Sequence, residues 1–212
     1  RIPPAGGAPA PFATGVRNGT GLAVAPDGSV WTAVNNRDAV ADPRPGPDYG
    51  KVTDYVNDHP PEFVARVSPG REFGWPYCNP DTSGFLRDVQ TNADGARLDC
   101  GALTPVEQTL GAHSAPLGLS FVEGGVPAPF ERGALLGVHG SWNRTPPRAP
   151  EVSFFAWRDG TLGPQQTLVG GFQSADGSRW GRPVAAVVGP DGAVYVTDDY
   201  AGAVYRLAPP GP

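Results

Sequence analysis

Short apolar runs alternate with turn signals along most of the chain. Leu22-Ala23-Val24 leads to Pro26-Asp27-Gly28 and then to Val30-Trp31-Thr32-Ala33-Val34. Near the other end, Val184 to Val188 leads to Pro190-Asp191-Gly192 and then to Val194-Tyr195-Val196-Thr197. Both segments read as strand, tight turn, strand: proline presets the first turn position and Asp-Gly supplies the later ones. A looser third copy runs from Leu117–Val122 through Gly124-Gly125 and Pro127 to Leu135–Val138. A fourth apolar run, Val152–Trp157, ends at an Asp159-Gly160 turn. Residues 1–11, rich in Pro, Gly and Ala, read as a linker or strand lead-in, residues 12–208 as the folded body and 209–212 as a tail.

Repeated hairpins of this kind predict an all-β fold of the β-propeller type. The alternative is a β-sandwich with two similar hairpins. The two Pro-Asp-Gly turns lie 164 residues apart. Three blade periods across that distance make each about 55 residues, long for a blade unless its loops are long. Composition supports the all-β reading. Gly (30) and Pro (26) make up about a quarter of 212 residues, which excludes a helical bundle. With 39% hydrophobic residues and five Trp, six Tyr and nine Phe, the chain can bury a core, which excludes disorder. A ring takes four to eight blades. At about 55 residues per blade this length supplies three to four, so either the propeller is unusually small or other residues complete the ring.

The net charge is −5 and no basic stripe is present, which leaves nucleic acid without an electrostatic footprint. No run of 18 apolar residues occurs, so no membrane span is expected. The absence of Met implies that the chain begins after processing or is a piece of something longer. Cys78 and Cys100 are separated by 21 residues, unlike the Cys-x-x-Cys spacing of a metal or redox pair. They read as a structural disulfide, worth about 3 kcal/mol in the chain-entropy model. A disulfide points to an oxidising compartment: periplasm, cell envelope or outside the cell.

Four stretches carry more chemistry than a turn needs. Gly15 to Leu22 places Arg17 and Asn18 in a glycine-rich lead-in to a strand. Asn35-Asn36-Arg37-Asp38 follows the next strand. His113-Ser114-Ala115-Pro116 is followed by His139-Gly140-Ser141-Trp142-Asn143-Arg144, and Trp180-Gly181-Arg182-Pro183 precedes the second Pro-Asp-Gly hairpin. Arg presents a planar fork that grips carboxylates, so Arg17, Arg144 and Arg182 are candidates to converge on a ligand with several carboxylates. Consecutive Asn and Asp with free carbonyls are candidate oxygen ligands for Ca²⁺. Each stretch taken alone also reads as a solvated loop.

These motifs resemble the quinoprotein glucose/sorbosone dehydrogenases, most closely the sorbosone branch. The resemblance rests on Gly15-Val16-Arg17-Asn18 to Leu22, Pro26-Asp27-Gly28, Phe73-Gly74-Trp75-Pro76-Tyr77-Cys78 and His113-Ser114-Ala115-Pro116. It continues through Gly140 to Arg144, Trp180 to Pro183, Pro190-Asp191-Gly192 and Asp198-Asp199, in the family's order, over residues 12–207. It implies a six-bladed propeller that holds pyrroloquinoline quinone (PQQ) and Ca²⁺ at one mouth and oxidises the anomeric carbon of an aldose or sorbosone-like sugar. Arg17 and Asn18 inherit cofactor contacts, and Arg182 matches an Arg that binds a cofactor carboxylate. His113 and Arg144 sit in loops expected at the same mouth. The Ca²⁺-binding backbone carbonyls fall nearest Asn36 and Arg37.

The chain departs from the family at two points. The family's catalytic His precedes the Arg-Asn motif; here the eleven residues before Phe12 hold no His, and His59, His113 and His139 do not match that position. In glucose dehydrogenases a second cofactor Arg lies two residues after the first, where this chain has Val184. The chain thus resembles the C-terminal half of the family, its ring completed by an N-terminal remainder or another chain. Two functions compete: part of a PQQ-dependent sugar dehydrogenase, and a non-catalytic propeller serving as an envelope binding or interaction module. A propeller lactonase is a poorer fit. Asn18-Gly19-Thr20 and Asn143-Arg144-Thr145 are glycosylation sequons. Trp31, Trp75, Trp142, Trp157 and Trp180 are candidates either for sugar stacking or for blade packing.

Overall fold

The computed structural model describes residues 1–124 and 126–208. The 209–212 tail and Gly125 of the Gly124-Gly125 pair lie outside the described residues. The fold is a partial β-propeller of three consecutive blades. Blade 1 contains β1 (Asn18–Val24), β2 (Val30–Asn35), β3 (Glu62–Val67) and, after a long excursion, β6 (Gln108–Leu110). The excursion carries a small hairpin of β4 (Cys78–Asp81) and β5 (Gly84–Arg87). Blade 2 is a meander of β7 (Pro116–Glu123), β8 (Arg132–Val138), β9 (Glu151–Arg158) and β10 (Thr161–Val169). Blade 3 has, among the described residues, three strands, β11 (Pro183–Val188), β12 (Val194–Asp198) and β13 (Ala203–Leu207). The innermost strands stand side by side, with β7 against both β1 and β11.

The two Pro-Asp-Gly turns have the same geometry. The N–H of Gly28 bonds to the carbonyl of Ala25 at 2.9 Å, and that of Gly192 to Gly189 at 3.0 Å. Asp27 accepts the N–H of Ser29 at 2.9 Å, and Asp191 that of Ala193 at 3.2 Å. Gly28 and Gly192 take φ of 81° and 75°, open to glycine without a Cβ penalty. Each turn joins the first two strands of its blade. Two blade steps, not the three behind the 55-residue estimate, therefore separate them. The excess length lies in the insertions of blade 1, between β2 and β3 and between β3 and β6.

Side-chain alternation decides which neighbour each strand meets. On β8, Ala134, Leu136 and Val138 face blade 1 and Leu135 faces blade 3; on β9, Phe155 and Trp157 face blade 1 while Val152 and Phe154 face blade 3. The two central strands of blade 2, β8 and β9, are buried on both faces and read as continuous apolar runs. Blade 3 is covered on one side only, and β12 alternates between buried Val194 and Val196 and exposed Thr197. The seam between blades 1 and 2 holds Trp31, Phe121 and Trp157, with Trp31 and Trp157 edge to face at 5.7 Å. The outward side of blade 1 is partly capped where Phe73 stacks on Phe63 at 5.8 Å. Behind it, the Cys78–Cys100 disulfide packs with Phe85. Leu22 (71% exposed) and Val24 (65%) on β1, and Val204 (66%) on β13, leave apolar surface open on the two end blades.

Close approach at the blade 2–blade 3 seam requires missing side chains. A Cβ on Gly137 would lie 2.1 Å from the carbonyl oxygen of Val184. A Cβ on Gly28 would meet nothing within 4 Å, so only its φ resists substitution. Gly28→Ala should therefore cost about 1 kcal/mol, and Gly137→Ala about 2–3 kcal/mol, as overpacking against backbone does. Urea unfolding of the two variants checks the order; equal losses would contradict the packing account.

Candidate functional site

Antiparallel pairing brings all four candidate stretches to one edge of the blades. Arg17 precedes β1 and Asn18 begins it, Asn35 to Asp38 leave β2, Glu62 begins β3 and His113 lies just before β7. His139 to Arg144 leave β8, Arg182 precedes β11, and Asp198 ends β12 with Asp199 just after it. At the seam of blades 1 and 2 these ends enclose a polar cavity of about 230 Å³. Arg17, Asn18, Asn36 and His113 all line it, joined by Asn35, Asp38, Glu62, Trp142 and Asn143. A second cavity, of about 310 Å³, lies between blades 2 and 3. Its walls include Phe130, Leu168, Val194 and Leu207, and among the described residues no charged side chain lines it to orient a polar ligand.

The polar cavity is organised around Arg17. Its Nη1 donates to the carbonyls of Asn36 and Asn35, and Nη2 lies 3.7 Å from Asp38. The Asn36 backbone N–H donates to Glu62 Oε2 at 2.7 Å, and the Asn36 amide donates to the Pro61 carbonyl at 2.6 Å. Asn35 and Thr20 reach across the seam to the Pro116 carbonyl at 2.6 and 2.7 Å. These bonds aim the Asn35 and Asn36 carbonyls at one positive group. Oxygens so placed are the donor type that hard cations take. Among the described residues no three His, Cys, Asp or Glu side chains gather around one point.

Glu62 is 5% exposed. Burial pushes its carboxyl up to about 8 against the opposing pull of the Asn36 N–H and of Arg17. Its role is not legible in the sequence, because a single acid ahead of an apolar strand looks like a turn residue. His113 is also buried and takes a left-handed φ of 59°, with Ala115 at 48°. Its Nε2 donates to the Val56 carbonyl at 2.6 Å, which holds the β2–β3 insertion over the mouth.

The three candidate arginines do not converge on one point. Arg144 fastens the same insertion, donating to the Asn57 carbonyl at 2.7 Å and pairing with Asp58 at 2.8 Å. Arg182 makes two bonds to Asp199, each 3.0 Å, and Asp199 also accepts His139 Nε2 at 2.9 Å. The bonds from Arg182, and then His139, pull the Asp199 carboxyl down to about 2. The Arg37 side chain turns away from the cavity to the Pro76 carbonyl (2.9 Å) and Asp88 (3.4 Å). Three cations at one mouth repel one another, and each takes a local aspartate instead: Asp38, Asp58 and Asp199. The charges of Asp38, Asp58 and Asp199 are legible in the sequence, but their partners emerge only when loops from different strands meet.

The fold and site define a class: a three-blade stretch of a propeller with a polar, arginine-centred cleft at one rim. The chain matches a family model described as TrAA12-like over residues 8–209. It belongs to the TrAA12-like family, which groups with the quinoprotein sugar dehydrogenases. An uncharacterized protein of Borreliella burgdorferi is 28% identical over 202 residues, covering 92% of this chain and 48% of the relative. The holo PQQ domain of pyranose dehydrogenase from Coprinopsis cinerea superposes with a TM-score of 0.68 at 20% identity, covering 92% of this chain and 54% of that one. A calcium structure of a family AA12 enzyme from Trichoderma reesei gives 0.66 at 21% identity, covering 92% and 52%. At these identities the solved structures establish the shared fold. The chain spans about half the length of the proteins it matches.

The raised Glu62 carboxyl has a measurable consequence. Between its ordinary value of 4.5 and about 8, the folded chain binds a proton that the unfolded chain has released. Stability from this group is complete below about 4.5 and falls as the pH rises towards 8. Glu62→Gln should therefore flatten the loss of stability between pH 5 and pH 8 in urea unfolding. An unchanged slope would show that Glu62 is ionised in the folded protein.

Proposed function

We propose that this chain is the C-terminal part of a PQQ- and Ca²⁺-dependent dehydrogenase. Its substrate is an aldose or sorbosone-like sugar, oxidised at the anomeric carbon. The observation that carries this reading is the cavity at the blade 1–blade 2 seam, where Arg17, Asn18 and the Asn35 and Asn36 carbonyls meet in a TrAA12-like chain. The residues fit the implied groups. Carbonyls gathered on a guanidinium suit Ca²⁺: those of Asn36 and Asn35 meet Arg17, and Arg37, the next residue in sequence, carries the second carbonyl that the family resemblance implies. Arg17 and Arg182 offer forks for carboxylates. The Asn143 Oδ1 atom at the cavity wall is buried without a hydrogen-bond partner. When bound, PQQ supplies the two-electron chemistry by accepting hydride from the sugar.

The chain's own residues bind and orient. Asn18 and Arg17 hold the ligand's polar edge, while His113 and Arg144 keep the β2–β3 insertion over the mouth. Asp199 presents Arg182 by its Nε edge and leaves Nη1 for an incoming carboxylate. The proton acceptor comes from blades outside this chain. No His of this chain stands at the base position that the family resemblance implies, and the rings bond elsewhere: His59 to Tyr55, His113 to Val56 and His139 to Asp199. The open apolar positions Leu22, Val24, Val187 and Val204 support closure of the ring by an N-terminal remainder. The cavity's 230 Å³ is below the roughly 300–1,000 Å³ of complete ligand sites, as a shared site would be. The Cys78–Cys100 bridge supports a periplasmic, envelope or secreted location. No helix among the described residues is long and apolar enough to cross a membrane.

The test is dye-linked aldose oxidation by the full-length protein reconstituted with PQQ and Ca²⁺. Activity should require both and disappear with a chelator, and Arg17→Gln should weaken quinone binding about tenfold, as loss of a charge-assisted bond would. Absence of both oxidation and quinone binding would overturn the reading and leave a non-catalytic binding module.

A further inference from the structure

Trp142 has no packing role in this fold. It is 79% exposed, more than any other large apolar side chain of the described residues. Trp31 and Trp157 are buried against each other, and Trp180 packs on Phe172. No ring among the described residues packs on Trp142. Yet the loop that carries it is tied on both sides. Ser141 exchanges two hydrogen bonds with Arg148, at 3.1 and 2.7 Å. Beyond the tryptophan, Arg144 and the Thr145 N–H bind Asn57, at 2.7 and 3.0 Å. The backbone is thus fixed at both flanks while the indole stands in solvent, an arrangement that presents a ring at low entropic cost.

What lies beside the indole defines the ligand it suits. Trp142 lines the polar cavity together with Asn18 and Asn143. The Asn18 side chain is exposed there. The Asn143 amide is under-bonded, with Nδ2 3.4 Å from the Asp38 carbonyl and Oδ1 buried without a partner. A flat apolar surface next to amide donors and acceptors complements a pyranose ring. The C–H face of the sugar stacks on the indole and its hydroxyls bond to the amides. We propose that Trp142 is the stacking platform that holds the sugar ring at this mouth, with the Asn143 amide reading its hydroxyls. The proposal rests on the sugar-dehydrogenase reading and assigns to it a substrate-recognition residue. A planar quinone would compete for the same indole face, so the test separates the two.

The test uses the full-length protein with PQQ and Ca²⁺ and compares Trp142→Ala with Trp142→Phe. Trp142→Ala should raise KM for aldoses about tenfold or more, with a much smaller fall in kcat and unchanged quinone affinity, the pattern of lost ground-state binding. Trp142→Phe, which keeps a flat ring, should recover most of the loss. An unchanged KM, or a fall in quinone affinity with KM preserved, would overturn the proposal. A second readout needs no turnover: titration with methyl glucoside should perturb tryptophan fluorescence in the wild type and not in Trp142→Phe. If the protein neither binds quinone nor oxidises sugars, the dehydrogenase reading fails, and this titration still decides the platform. Perturbation supports it, and its absence overturns it.

Discussion

Everything at the rim depends on the seam between the first two blades. Midway along it, Trp31, Phe121 and Trp157 meet edge to face, which fixes the distance between the sheets. At the rim, Thr20 and Asn35 both donate to the carbonyl of Pro116, which fixes their slide. The cavity is the space this geometry leaves between the strand ends. Arg17, Asn36 and Glu62 come from blade 1, and Ala115, Trp142 and Asn143 from blade 2. A shift of one sheet against the other would move half of the cavity's lining and leave the rest in place.

Charge at the rim is arranged so that no group stands alone. Arg17, Arg144 and Arg182 each have an aspartate within reach, and Glu62, whose carboxyl burial pushes up to about 8, is favoured in its neutral form. This arrangement lets a chain with many cations at one mouth fold without a ligand. It also sets a condition on binding, because an incoming carboxylate must compete with an aspartate for its arginine. The Arg182–Asp199 pair is exposed enough for that exchange, whereas Arg144 is held on three sides by Asn57, Asp58 and Pro146.

Much of the fold was legible in the residues because its hairpins are local. The two Pro-Asp-Gly turns, the Asp159-Gly160 turn and the Cys78–Cys100 bridge follow from short patterns, and the continuous apolar runs of β8 and β9 mark strands buried on both faces. The blade period was not legible, because the insertions of blade 1 carry no strand pattern of their own and stretch its spacing. The lining of the candidate cavity was legible at Arg17, Asn18, Asn36 and His113, where motifs meet strand ends. Glu62, Asn143 and the aspartate partners were not, since their roles come from burial and from loops distant in sequence. His113 and Arg144 illustrate the limit: their motifs place them at the mouth, but only the β2–β3 insertion packed above them reveals what their side chains hold.

The central claim is that the Arg17 cluster is a ligand site in which a guanidinium now rests on carbonyls suited to a metal ion. A crystal structure of the full-length protein with PQQ and Ca²⁺ tests it most directly. The account predicts Ca²⁺ on the Asn36 carbonyl, with Arg17 moved from that oxygen to a carboxylate of the quinone. Quinone bound elsewhere, with Arg17 still on the Asn35 and Asn36 carbonyls, would contradict it.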